Sequence, residues 1–374
     1  MKRYKSIDIV RGLCMIIMVY GHLVDWWIRE EDYWVFHILW SLFAAIGAGG
    51  FLFVSGVVTA LSYRSRQTNS TKSTKFHTKM MRNAYLFRAL LLLLIAFIYN
   101  VFIAIAINDL TWIWAWFVLQ TIGFSLLMAW PFLNTSKVFR VFFASSCLIM
   151  NFVLLDLLLP YQGQANIYGV IFHILFNPVN LYPILAFFSI FIFGTVIGEI
   201  LFNVNLIKNQ DERILNFKKK FINPILILGI ILVIFGVMFY FPSFFQYPSF
   251  SAMVYALGIN FILISVLIGV EELKIFKLEK IYSFFFYYSY YSFTIFLAHN
   301  LLFFLFYRQL NANNILFVII ATMIFVTWFL RIIYIKLGYK ASIKYGIGII
   351  SLSLAKKIEQ RKSRSLYHEI NNIG

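Results

Sequence analysis

Asp8, Arg11, His22 and Asp25 stand along one otherwise apolar run near the start of the chain. Charge held among residues bound for hydrocarbon is costly, so each of these groups is a functional candidate. Asp8 and Arg11 are three residues apart, share a helix face and can pair. His22 comes eleven residues after Arg11, about 16 Å further along a helix axis, and it shares a face with Asp25. An imidazole oriented by a carboxylate is a general base suited to deprotonating a hydroxyl or an amine. Two roles stay open for each acid. Asp8 with Arg11 either holds a ligand or only anchors the helix end, and Asp25 either orients His22 or stands at the outer surface.

The elements that must position these groups follow from composition. The 374 residues are 61% hydrophobic and 13% charged, where a soluble domain carries roughly a quarter charged residues. Apolar runs long enough to cross a bilayer recur along the whole chain. They show no two-residue alternation, which selects helices over a barrel. The fold class is therefore all-α, a polytopic integral membrane protein of about ten spans, read at 7–28, 34–62, 84–107, 111–132, 139–159, 180–203, 222–241, 250–270, 281–307 and 314–336. The second is too long for one upright helix and contains Gly47, Gly49, Gly50 and Gly56, so it tilts, kinks or breaks. Tyr168 to Phe176 is too short to span and reads as a half-helix in the outer leaflet. Residues 1–340 form one transmembrane domain and 341–374 a basic cytoplasmic tail. The opening Lys2, Arg3 and Lys5 mimic a signal peptide, but Asp8, Arg11 and His22 break up the run behind them, which reads as a retained first helix.

A net charge of +17 does not point to nucleic acid, because the cations lie in short loops and the tail, where they set topology and meet anionic membrane lipid. One set of loops carries Arg64, Arg66, Lys72, Lys75, Lys79 and Arg82, then Lys137 and Arg140, Lys208, Arg213 and Lys218 to Lys220, Lys274, Lys277 and Lys280, and the tail cations from Lys356 to Arg364. The opposite loops hold Arg29 and Arg308 among Glu30, Glu31, Asp32 and Asp109. The positive-inside rule puts both termini in the cytoplasm, in a multi-pass protein of the cell membrane. Cys14 and Cys147 sit in apolar segments and imply neither a disulfide framework nor a metal site.

Mapped onto that topology, His22, His37, His173 and His299 share the outer half of the membrane, while His77 and His368 fall in polar segments. Arg11, Arg64, Arg66, Arg82 and Arg88 gather at the inner face of the first three spans, a cradle for the phosphates of a cytoplasmic ligand. Positive-inside topology alone accounts for most of them; Arg11 and Arg88, inside their spans, exceed it.

Arg3-Tyr-Lys-Ser6-Ile-Asp8-Ile-Val-Arg11-Gly12, an aliphatic run and then His22 resemble the opening of the transmembrane acyltransferase superfamily, which includes acyltransferase-3 and heparan-α-glucosaminide N-acetyltransferase-like proteins. Arg11 and His22 stand at the acyltransferase-3 spacing. Gly50-Phe-Leu-Phe-Val-Ser55-Gly56 is similar to a Phe-rich Ser-Gly segment of both groups, and Ser289 to His299 to their late signature. Phe117-Val-Leu-Gln120-Thr-Ile-Gly123, Tyr182-Pro183 with Gly194 and Gly198, and Tyr33-Trp34-Val-Phe36-His37 resemble the glucosaminide N-acetyltransferase branch, the last with one residue fewer before the histidine. An acyltransferase-3 arginine pair after the third motif has only loose substitutes here, Lys79 with Arg82 or Arg82 with Arg88.

The resemblance implies transfer of an acyl group, often acetyl, from cytoplasmic acyl-CoA (acetyl-CoA) to a glycan or glycolipid acceptor on the outer side. His22 is then the expected base or transient acyl carrier, with His37 the competing choice and Asp25 its orienting partner. Asp8, Arg11, Arg88, Ser55 and His299 are the expected substrate-binding residues, and no metal is implied. A transporter or flippase would use the same buried charges as a relay path and is the alternative; a non-catalytic lipid- or partner-binding relative is a third. The sequence leaves the acceptor and a homo-oligomer open.

Overall fold

Apolar runs without strand alternation fold as helices, and among the described residues every extended regular element is one; a lone β-bridge, Ile28 to Leu310, ties two loops. The computed structural model describes residues 3–70, 75–178, 182–246, 248–275 and 279–373. Lys72 and Lys277 lie outside them, as do the side chains of Lys75, His77, Lys280, Lys362, Arg364 and His368.

Helix α1, Lys5–Trp27, begins where the Glu271 carboxylate accepts the backbone N–H groups of Lys5 (3.1 Å) and Ser6 (2.8 Å) and the Ser6 hydroxyl (2.7 Å). A carboxylate from a distant helix thus serves donors that the first turn leaves without partners. Then come α2 (Trp34–Phe43), α3 (Ala48–Ser70), α4 (Lys75–Ala106), α5 (Val118–Ala129), α6 (Lys137–Leu158) and the short α7 (Ile167–Phe176). Next are α8 (Ile184–Asn205), α9 (Gln210–Asn216), a π-helical turn at Phe217–Ile222 and α10 (Asn223–Met238). The chain continues through α11 (Phe250–Glu272), α12 (Glu279–Tyr290), α13 (Ser292–Ala298), α14 (Ile315–Leu337) and α15 (Ile343–Ile373). Ser136 and Ser249 start α6 and α11 by accepting the N–H of Phe139 and Ala252, both at 3.1 Å.

The protein is an all-α polytopic membrane protein, in which eight helices among the described residues are long and apolar enough to cross a membrane, against the expected ten or so. The shortfall falls on the second and ninth expected spans. In the second, the chain breaks between Phe43 and Ala48, and α3 is too rich in Ser, Thr, Tyr and Arg to qualify by hydropathy alone. In the ninth, α12 ends at Tyr290 and a separate short helix, α13, begins at Ser292. Broken helices at membrane depth persist where protein or a cavity, rather than lipid, surrounds the freed backbone groups.

Packing sorts the helices by depth. Helix α8 is the centre, with Phe187 and Phe191 fully buried against Phe53 and Phe261. Gly56 of α3 lies on the Phe191 carbonyl and Gly194 of α8 on the Phe53 carbonyl, a close approach that small residues allow between membrane helices. A second core joins α1 to α12 and α14 through Trp27, Tyr288, Tyr291 and Ile315. At the periphery, α6, α10 and α14 expose Phe142, Ile231 and Phe317, apolar faces suited to lipid. Arg140, assigned to a loop by its charge, is fully buried on α6, where it pairs with Glu199 of α8 and donates to the Thr195 hydroxyl at 3.1 Å; Arg64 of α3 reaches the same carboxylate at 2.9 Å.

The stretch with tail-like composition is largely α15, and it lies along α4. Ile347 enters the core and Asn83 donates to Glu359 at 2.6 Å. The turn from α14 to α15 is held by the α12–α13 break: Tyr291 donates to the Gly338 carbonyl (2.7 Å), Thr294 to that of Ala341 (3.0 Å), and the Ile343 N–H to Thr294 (3.2 Å).

Candidate active site

Helix α1 places His22 and Trp26 four residues apart, on one face. His299 follows α13 and is 4% exposed. The two imidazole centroids are 5.1 Å apart, and Trp26 stacks on both, 5.1 Å from His22 and 5.5 Å from His299. His299 Nδ1 is 2.6 Å from the Phe296 carbonyl oxygen, which can only accept. The hydrogen therefore sits on Nδ1, and Nε2 offers its lone pair. His22 has no hydrogen-bond partner among the described residues, so its nitrogens are available to a ligand. Beside it is a void of about 20 Å³ closed by Met18, Trp40, Ala44, Gly47, Ala48 and Tyr182. Asn300, the neighbour of His299, donates to the Tyr99 hydroxyl at 2.9 Å.

Asp25 does not orient His22. Its carboxylate accepts the hydroxyl of Tyr33 instead, because α1 is ending there and the outer loop folds Tyr33 back onto it. Burial, followed by that bond to Asp25, raises the Tyr33 hydroxyl above its ordinary pKa and keeps it a donor. Arg308 lies over the Tyr33 ring at 5.2 Å and donates to the Asp25 carbonyl at 3.1 Å. His37, exposed on α2, packs edge-on to Tyr33 at 5.2 Å and beside Phe36. The ring brought to His22 is thus that of His299, while His173 stands apart on α7.

On the basic side, a cavity of about 1340 Å³ opens between α1, α3, α4, α5, α13 and α15. Arg11, Arg66, Lys79, Arg82, Arg88 and Lys344 line it, against a single carboxylate among the described lining residues, Asp8. Asp8 accepts from Arg3 (2.8 Å), Ser289 (3.0 Å) and Tyr282 (3.3 Å), and Arg11 stands 3.9 Å away. Among the described residues Arg66 and Arg88 have no carboxylate partner, so this wall can take up an anion. Arg64, part of the expected cradle, is turned away to Glu199. Ser55 lines the cavity, but its hydroxyl donates to the Phe51 carbonyl at 2.7 Å. Inward from Arg11 the lining becomes Cys14, Met15, Met18 and Phe51 and reaches Gly47 and Ala48, and Met18, Gly47 and Ala48 also wall the void at His22. Among the described residues no group of three His, Cys, Asp or Glu side chains could hold a metal ion.

Sequence reading passed over Lys344, Tyr99, Asn300 and an aromatic group that lines the cavity. In that group Trp130 lies 5.4 Å from Tyr63 and 4.9 Å from Tyr85. Lys344 had one legible signal, the apolar repeat of Ile343 and Ile347 flanking it at helical spacing.

None of the curated proteins searched matches the chain. The heparan-alpha-glucosaminide N-acetyltransferase catalytic family matches residues 3–238, well over half of the sequence, from the cavity wall of α1 to the end of α10. With the His22 helix, the Ser55 segment and the α8 glycines all inside the matched region, the chain belongs to the heparan-alpha-glucosaminide N-acetyltransferase catalytic family, whose members are membrane acetyltransferases.

Proposed function

We propose that this acyltransferase takes an acetyl group from cytoplasmic acetyl-CoA and transfers it to a hydroxyl or amine of a glycan or glycolipid on the outer side of the cell membrane. What carries the reading is that the two parts of the site adjoin. The cation-lined cavity and the void at His22 share the walls Met18, Gly47 and Ala48, and Arg11 to His22 is eleven residues of one helix, about 16 Å. Donor phosphates held at Arg11 and Arg88 direct the thioester inward along this path. His22 takes the proton of the acceptor, whose oxygen or nitrogen bonds to the thioester carbonyl carbon. The C–S bond then breaks, and the departing thiolate receives the proton from His22, giving the acetylated acceptor and CoA. His299 stands beside His22 with its Nε2 lone pair free to accept a hydrogen bond from the acceptor. Asp8 keeps Arg11 and α12 in place at the donor end.

The test is chemical. Membranes with and without the protein are compared for an acetyl mass increment on glycans and lipids, and the purified protein is assayed for release of CoA from acetyl-CoA in the presence of the modified fraction. Donor-dependent acetylation that disappears with the protein is expected. Solute movement across proteoliposomes with no donor consumed would replace this reading with transport.

A further inference from the structure

We propose that Lys344 is a donor-binding residue: on the acyl-CoA reading above, it completes with Arg11 of α1 and Arg88 of α4 a ring of cations that grips the donor's diphosphate. The three come from three different helices and line one cavity. Ser289 and Asp8 bring two of them to one level: Lys344 donates to the Ser289 carbonyl, the Ser289 hydroxyl donates to Asp8 at 3.0 Å, and Arg11 stands 3.9 Å from Asp8. Asp8 cannot neutralise them all, being engaged by Arg3, Ser289 and Tyr282. Lys344 Nζ donates to the Ser289 carbonyl at 3.0 Å, which leaves its remaining hydrogens for a ligand. Cations that outnumber their counter-ions in a low-dielectric cavity are costly, and a ligand with two adjacent negative charges relieves them together. An ammonium serves as the point charge of such a clamp and the guanidinium groups as its forks.

Geometry also gives the clamp its depth. The ring lies at the level of Arg11, so His22 is about 16 Å further in, a span that an extended pantetheine arm covers. The lysine is held at this level by the turn before α15, itself fastened to Tyr291 and Thr294. Lys344 stands outside residues 3–238, the region the family match covers. The helix with tail-like composition is therefore a wall of the donor site.

Full-length wild type, Lys344→Gln and Lys344→Arg are compared in detergent by calorimetric titration with CoA and by initial rates with acetyl-CoA and acetyl-pantetheine, which lacks the diphosphate. Lys344→Gln is expected to weaken CoA binding and to lower kcat/KM for acetyl-CoA about tenfold or more, through KM. Its rates with acetyl-pantetheine should match wild type, and Lys344→Arg should recover most of the affinity. In wild type, CoA should protect Lys344 from an amine-reactive label read by mass spectrometry, a measurement that needs no variant. Equal losses with both donors, unchanged CoA affinity in Lys344→Gln, or no protection by bound CoA would overturn the proposal while leaving the acyl-CoA reading intact. Wild-type protein that neither binds CoA nor uses acetyl-CoA would overturn both.

Discussion

On the proposed mechanism His22 takes the proton of the acceptor, and its surroundings define the experiment. The imidazole has a vacant side, a stacked tryptophan and a second imidazole whose tautomer is set by a carbonyl. Its removal breaks no hydrogen bond among the described residues and loses one stacked ring, so His22→Ala should insert and express normally while acetyl transfer falls about a hundredfold or more, the loss expected for a general base. His37→Ala is the paired measurement, because the aromatic-His motif makes it the competing base. An inactive His37 variant beside an active His22 variant would move the base to the outer loop, where Tyr33, Asp25 and Arg308 already form a polar group. Activity in both variants would exclude histidine base catalysis.

Among the elements, two helix breaks frame the site: the gap between α2 and α3 contributes Ala44 and Gly47 to the His22 void, and the end of α13 delivers His299. They are positioned by a buried centre in which α3 and α8 approach closely. A Cβ on Gly194 would collide with the Phe53 backbone carbonyl, so Gly194→Ala should cost about 1–3 kcal/mol by overpacking, read as a lower Tm in detergent. Gly346→Ala on α15 meets open space and should leave Tm unchanged or slightly raised. The buried group of Arg140, Glu199 and Arg64 joins α6, α8 and α3. Glu199→Gln strands the Arg140 charge and should destabilise by about 3–5 kcal/mol. A Tm within a degree of wild type would show that the group contributes nothing to holding these helices.

At the scale of the whole molecule, the proposed function requires a particular orientation in the membrane. Cations line the cavity at one end of the helices, and the histidine pair lies toward the other. In a background lacking Cys14 and Cys147, a cysteine at Gln210, on the basic side, should label only after the membrane is permeabilised. One at Gln164, on the opposite side, should label in intact cells. The reverse pattern would place the cation-lined cavity outside and exclude a cytoplasmic donor.

Hydropathy and the register along one helix were legible without any structure: a helical chain in lipid, Asp8 and Arg11 on a shared face, and His22 about 16 Å beyond. Those properties are local, fixed by covalent spacing and the helical repeat. That the second span was too long for one upright helix was legible too, but tilt, kink and break stayed open, and of its glycines only Gly47 lies in the gap between α2 and α3. The partners across helices were not. His22 meets His299 rather than His37, Asp25 takes Tyr33, Glu199 collects Arg140 and Arg64, and Lys344 returns from the far end of the chain to the cation-lined cavity. A span apolar on nearly every face carries little amphipathic pattern to say which side turns inward. Those choices were left to how closely the glycine-lined backbones could approach, where α12 and α13 part, and how the turn before α15 is tied down.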